Sequence, residues 1–111
     1  MMVVSGENIY PTQIEEAIEE NLDVKECIVT SVPDKVRGQA VCAYVCKNNP
    51  ELTISDLAEF CEKSPMLSKY KRPRYFAFID EVPHTATGKK KHNEMKAKAQ
   101  KDLEEGKLSR A

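Results

Sequence analysis

Apolar residues in this chain come in short blocks, and the spacing within each block marks an element. Met2–Val4 is a short apolar run that stops at Ser5-Gly6, a turn signal, and predicts an opening strand. Ile14, Ala17, Ile18 and Leu22 then recur at helical spacing and form one stripe. Pro11 suits the first turn of that helix. Thr12-Gln13-Ile14-Glu15 has the spacing of a capping box, with Thr12 accepting from first-turn amides and Glu15 reaching back. Glu15, Glu16, Glu19 and Glu20 are expected to face water.

Residues 26–32, ECIVTSV, are rich in β-branched side chains and predict a strand that Pro33-Asp34 ends. Gly38 closes the following loop. Residues 39–47, QAVCAYVCK, are apolar on both alternating sets, as in a strand covered on both faces. The short link makes the pair antiparallel. Thr53, Ser55 and Asp56 start a second helix with Leu57, Phe60 and Cys61 inward, and Pro65 limits it. Residues 75–79, YFAFI, predict a third strand. A polar loop runs over 80–88, and a last helix over 90–103 carries Met95, Ala99 and Leu103 on one side. Residues 104–111 have little to bury and are expected to fray.

The order is β-α-β-β-α-β-α. It predicts an α+β domain over residues 1–103: a small central three-stranded sheet, helices on both faces, and a short N-terminal hairpin arm packing apart from the sheet. At 111 residues the chain suits one core. With 41% apolar and 32% charged residues it is too apolar for a disordered chain. No apolar run approaches the roughly 20 residues of a membrane span, and MMVVSGEN lacks the basic start and long apolar stretch of a secretory signal.

Net charge is −1, but it is unevenly spread. Residues 1–68 hold 5 basic and 12 acidic side chains, whereas residues 69–98 hold 9 basic and 3 acidic. A localised positive segment on a mildly acidic body suits a small anion or phosphate, and not nucleic acid along a whole face. Cys27, Cys42, Cys46 and Cys61 form no C-x-x-C pair, and His84 and His92 are distant from them in sequence. A zinc site needs closer ligand pairs, so no metal site is expected and the thiols read as reduced, buried hydrophobes, consistent with a cytoplasmic protein.

The loop PHTATGKKK, residues 83–91, carries the most chemistry. Gly88 permits a tight turn and Lys89 follows at once. It is not a P-loop. That motif needs Gly where Pro83 stands and Ser or Thr where Lys90 stands. Lys89-Lys90-Lys91-His92 also lacks the aromatic interleaving of a nucleic-acid site.

Four segments in order, SGENIYP at 5–11, VPDKVRGQA at 32–40, YKRP at 70–73 and DEVPHTATGKK at 80–90, closely resemble the C-terminal domain of the adenylate-forming enzymes, specifically of acyl-CoA synthetases. The resemblance covers residues 1–98 and implies a two-step reaction. A carboxylic acid and ATP give an acyl-adenylate and pyrophosphate, and coenzyme A then displaces AMP. It implies a large N-terminal domain as partner, holding ATP, Mg2+ and the acid, and a small domain that swings between two poses. Met1 would fall just after the family's hinge residue, so the chain is expected to be a fragment, inactive alone.

Residue roles follow from the same resemblance. Lys89, after Gly88 in P-x-x-x-x-G-K, matches the catalytic lysine. A compact ammonium there would offset the meeting of two anions as the acid attacks the α-phosphate. Ser5, Gly6, Glu7 and Asn8 match the loop lining the pantetheine tunnel, with Ser5 where a glycine is common. Tyr70 and Arg72 match positions that touch the nucleotide end of coenzyme A in some relatives, and Arg37 stands where some place an aromatic. Lys90 replaces the family's usual apolar residue and reads as a solvated charge. Two other readings stand beside this one: an adenylation domain loading a carrier protein, and a stand-alone nucleotide or nucleic-acid binding module.

Overall fold

The computed structural model describes residues 2–4, 6–36, 38–68 and 71–110, with Met2 and Glu7 described by backbone alone. Its elements are β1 (Met2–Val4), β2 (Glu7–Ile9), α1 (Pro11–Glu19), β3 (Val24–Asp34), β4 (Gly38–Lys47), α2 (Ile54–Lys63), β5 (Tyr75–Phe78), α3 (His92–Glu104) and β6 (Ser109–Arg110). The two first strands form an antiparallel hairpin turned at Gly6, whose φ is +81°. The main sheet runs β3-β4-β5-β6, with β4 and β5 parallel and the other pairs antiparallel.

The expected α+β class holds, but the sheet has four strands and not three. The fourth comes from the tail expected to fray. After α3, Gly106 at φ +71° reverses the chain, Gly106 N–H donates to Leu103 O and Lys107 N–H donates to Asp102 O at 2.8 Å. These paired bonds satisfy the last helical carbonyls. Leu108 then packs against the buried cluster of Ile28, Tyr44 and Met95, and this apolar anchor accompanies the pairing of Ser109 and Arg110 with β5.

The period-two alternation of β3 and β4 divides the core into two layers. On one face Val29, Val41, Ala43, Val45 and Phe76 pack under α1 and α2 through Ile14, Ile18 and Leu57. On the other, Ile28, Val32, Cys42 and Tyr44 pack under α3 through Met95 and Ala99. The hairpin joins the first layer instead of packing apart. Val4 and Ile9 are buried in it, and Val3 N–H donates to Gln39 Oε1 at 2.9 Å.

The expectations that Thr12 and Glu15 cap α1, that Glu15 faces water and that Leu22 lies on the apolar stripe fail. Tyr10, not Thr12, stands at the N-cap, Pro11 opens the helix, and no side chain caps it. Glu15 is therefore not reaching back; it is 3% exposed and accepts from Val29 N–H at 2.8 Å. A proline at the first position has no amide to satisfy, whereas the buried amide of β3 needs an acceptor. Leu22, placed on the apolar stripe, is 89% exposed, because the helix ends at Glu19 and the chain turns out of its register. By contrast α2 carries its capping box through Thr53 and Asp56. All four cysteines are free and buried, and among the described residues no helix is long and apolar enough to cross a membrane.

Candidate active-site loop

The segment between β5 and α3 is a small hairpin. His84 and Lys90 face each other as an antiparallel bridge, and Lys91 N–H donates to Pro83 O at 3.0 Å. Thr85 N–H donates to Lys89 O at 2.7 Å and Gly88 N–H to Thr85 O at 2.9 Å. Lys89 N–H donates to Thr85 Oγ1 at 3.2 Å, and the hydroxyls of Thr85 and Thr87 lie 3.0 Å apart. Gly88 sits at φ +87°, a conformation that side chains with a Cβ disfavour. This network satisfies the turn internally and leaves the tip, Thr85 to Lys89, exposed.

Acid–base pairs hold both stems to the body. At the entry, His84 Nε2 lies 2.7 Å from Glu26 Oε2 of β3. At the exit, Lys90 Nζ donates to Cys27 O at 2.7 Å and to Glu19 Oε2 at 3.1 Å, and lies 3.6 Å from Glu15 Oε1. His92 Nε2 lies 2.7 Å from Glu15 Oε2. Burial works against the Lys90 charge, but the Glu19 hydrogen bond and the carboxylates of Glu15 and Glu19 outweigh it and raise its pKa above the ordinary lysine value. Lys90, expected to be a solvated charge, is thus a fixed one. Beside this anchor a cleft of about 440 Å³ is lined by Thr12, Glu15, Glu16, Glu19, Lys89, Lys90 and His92.

Gly88 and Lys89 therefore sit together at the tip of a braced loop. Among the described residues Lys89 makes no ion pair, so its ammonium is available to an incoming anion. Gly6 and Asn8 are exposed on the β1–β2 hairpin, and no hydrogen bond among the described residues links them to Lys89. Arg72 lies between α2 and β5, where Nη2 donates to Glu62 O at 3.2 Å and Nε is buried with no hydrogen-bond partner among the described residues. Ser5, Arg37 and Tyr70 lie outside the described residues, as does the side chain of Glu7.

Sequence reasoning missed the anchor: Glu15, Glu19, Lys90 and His92. A signal was present. On a helix Glu15 neighbours Ile18 and Glu19 at i+3 and i+4, so one acid of the run had to lie at the edge of the apolar stripe.

Comparison with known proteins agrees with this fold. The family model for the AMP-binding enzyme C-terminal domain matches residues 13–89, ending on Lys89. The long-chain-fatty-acid–CoA ligase of Yersinia pestis is 40% identical over 89 residues, covering 80% of this chain and 16% of that protein. The 2-succinylbenzoate–CoA ligase of a Geobacillus strain is 35% identical over 97 residues, covering 86% and 19%. Among solved structures, a double mutant of o-succinylbenzoate CoA synthetase from Bacillus subtilis superposes with a TM-score of 0.80 at 32% identity, covering 86% of this chain and 19% of that one. The chain thus spans less than a fifth of the length of these relatives. A family match across most of the chain, a shared fold and a braced Gly-Lys loop lead to one conclusion: this chain belongs to the AMP-binding enzyme C-terminal domain family.

Proposed function

We propose that this chain is the mobile C-terminal domain of an ATP-dependent acyl-CoA synthetase, in which Lys89 serves the adenylation step. The observation that carries the reading is the exposed Lys89 ammonium, in no ion pair among the described residues, at the tip of a loop whose stems are fixed by His84 and Lys90. In the first step an acid oxygen attacks the α-phosphorus of ATP. An acyl–phosphate bond forms and the bond to pyrophosphate breaks. Negative charge gathers on the α-phosphate oxygens as this happens. A unit charge about 4 Å away at an effective dielectric near 20 contributes about 4 kcal/mol, enough for a large part of a single-residue effect.

In the second step the thiol of coenzyme A attacks the acyl carbon, and AMP leaves with the bond electrons. In this reading the domain turns so that the Ser5–Asn8 loop, and not Lys89, faces the reacting carbon. Gly6 gives that turn a backbone a thin pantetheine chain can approach closely. Arg72 has N–H groups beyond the one given to Glu62 O and can bind a coenzyme A phosphate. The resemblance gives Tyr70 and Arg37 to the same ligand. ATP, its Mg2+ and the acid belong to the large N-terminal domain. Among the described residues no group of three or more His, Cys, Asp or Glu side chains is placed to hold a metal.

The relatives name different acids, so the acid itself is tested with a panel. The full-length protein carrying this domain, given ATP, coenzyme A and fatty or aromatic carboxylic acids, is expected to release AMP and pyrophosphate and form acyl-CoA. The 111-residue chain alone is expected to show no ATP–pyrophosphate exchange. Absence of acyl-CoA with every acid, or robust exchange by the chain alone, contradicts the proposal.

A further inference from the structure

Lys89, Lys90 and Lys91 are three identical side chains in a row, so the run carries no pattern of its own to decide which ammonium faces the protein. In extended backbone, a one-residue slip exchanges inside for outside. The structure makes a definite choice: Lys89 and Lys91 are exposed, and the Lys90 side chain is only 18% exposed. We infer that Lys90 is a positioning residue, whose capture between α1 and β3 selects the register of the lysine run and so turns Lys89 outward. The inference deepens, and rests on, the reading of Lys89 as the adenylation lysine.

The capture site is shaped for one ammonium. A lysine head has three N–H donors. Three oxygens surround it: Cys27 O, Glu19 Oε2 and Glu15 Oε1. Each carboxylate is itself pinned, Glu19 by the Cys27 amide at 3.0 Å and Glu15 by the Val29 amide at 2.8 Å. The titratable groups that face Lys90 are Glu15 and Glu19 from α1, Cys27 from β3 and His92 from the first turn of α3. Glu15 is 4% exposed at its side chain, and a buried carboxylate that loses its cation is strongly destabilised. Neither neighbour enters the site without moving the loop by a residue. Such a slip breaks the Thr85–Lys89 and Pro83–Lys91 backbone bonds and displaces the His84 pairing with Glu26.

Competitive trace acetylation of the folded 111-residue chain with an N-hydroxysuccinimide acetate, read lysine by lysine by mass spectrometry, tests this directly. Lys89 and Lys91 are expected to react at least about tenfold faster than Lys90, the ratio that ~1.4 kcal/mol of protection gives. In Glu19→Gln the ratio is expected to narrow. Equal labelling of Lys89 and Lys90 in the native chain overturns the inference. So does an unchanged ratio in Glu19→Gln whose circular dichroism is native. In the full-length protein Glu19→Gln is expected to lower kcat of acyl-adenylate formation severalfold, leaving KM for ATP and the conversion of preformed acyl-adenylate to thioester unaltered. Equal loss in both half-reactions means a general structural role and also overturns it. Protection of Lys90 together with a Lys89→Ala enzyme that adenylates normally upholds the register and refutes the catalytic reading of Lys89 instead.

Discussion

Tyr44 Oη donates a 2.7 Å hydrogen bond to Asp102 Oδ2, joining the middle of β4 to the last turn of α3 beneath the sheet. Both residues are buried. Burial opposes the Asp102 charge, but the bonds from Tyr44 and Lys98 and the nearby ammonium groups outweigh it and hold the carboxyl below its ordinary pKa. Burial first, and then the same bond, push the Tyr44 phenol upward.

Tyr44→Phe is therefore expected to destabilise the domain by about 1–3 kcal/mol, since it leaves a buried acceptor short of a donor. The pH dependence has a definite sign. A carboxyl with a depressed native pKa stabilises the fold above its unfolded value, near 4, and the contribution is lost as pH falls through the native value. Urea unfolding of the native chain and of Tyr44→Phe should differ fully at pH 6, and the gap should narrow in acid. A gap independent of pH would contradict the account of the pair.

The four thiols give a second check. Burial pushes Cys42 up to about 12, with Asp102 adding to it. Burial likewise raises Cys61 to about 12 against the opposing Arg72, and it raises Cys27 as well. Cys46 is 6% exposed, with Sγ 3.2 Å from Asp80 O. Ellman's reagent at pH 8 is expected to find no fast thiol in the folded chain and four after denaturation. A rapidly titrating thiol in the native state would show that the core opens on that timescale.

Strands and helices were legible in the chain wherever burial left a strong pattern, as in the continuous apolar run of β4 and the helical spacing of α2. The fourth strand was not. Ser109 and Arg110 bury nothing, and their pairing accompanies the Gly106 turn and the docking of Leu108. The tight turn at Gly88-Lys89 was legible in the chain. Its brace was not, because the partners Glu15 and Cys27 are 75 and 63 positions away from Lys90 and meet it only after α1 and β3 have packed. A buried ion cluster leaves no periodic trace, and in sequence it looks like ordinary surface charge.

At Gly88 the expected effect is strain and not collision. A Cβ there meets no heavy atom within 4 Å, but φ is +87°. Gly88→Ala should cost roughly 1–2 kcal/mol of local backbone energy. It should slow adenylation in the full-length protein with little change in global melting, and Gly88→Asn should be milder. A large fall in melting temperature for Gly88→Ala would mean that the loop is integral to the core.

Arg72→Ala is expected to raise KM for coenzyme A by about tenfold, the scale of one charge-assisted contact. It should also lower stability slightly through loss of the bond to Glu62 O. Adenylation should be nearly unchanged. Steady-state kinetics over a range of coenzyme A, read beside a thermal melt, separates the two effects. Lower stability with unaltered thioester kinetics would assign Arg72 to structure alone.

The most direct measurement of the account is single-turnover kinetics of each half-reaction in full-length Lys89→Ala. Losing one preorganised electrostatic stabiliser is expected to slow acyl-adenylate formation by about 10²–10³. With preformed acyl-adenylate and coenzyme A, the same variant is expected to make thioester at close to the native rate. Lys89→Arg should rescue the first step poorly, since a planar guanidinium does not reproduce a point charge on a narrow stem. Equal loss in both half-reactions, or none in the first, would contradict the assignment of Lys89 to one pose of a two-pose domain.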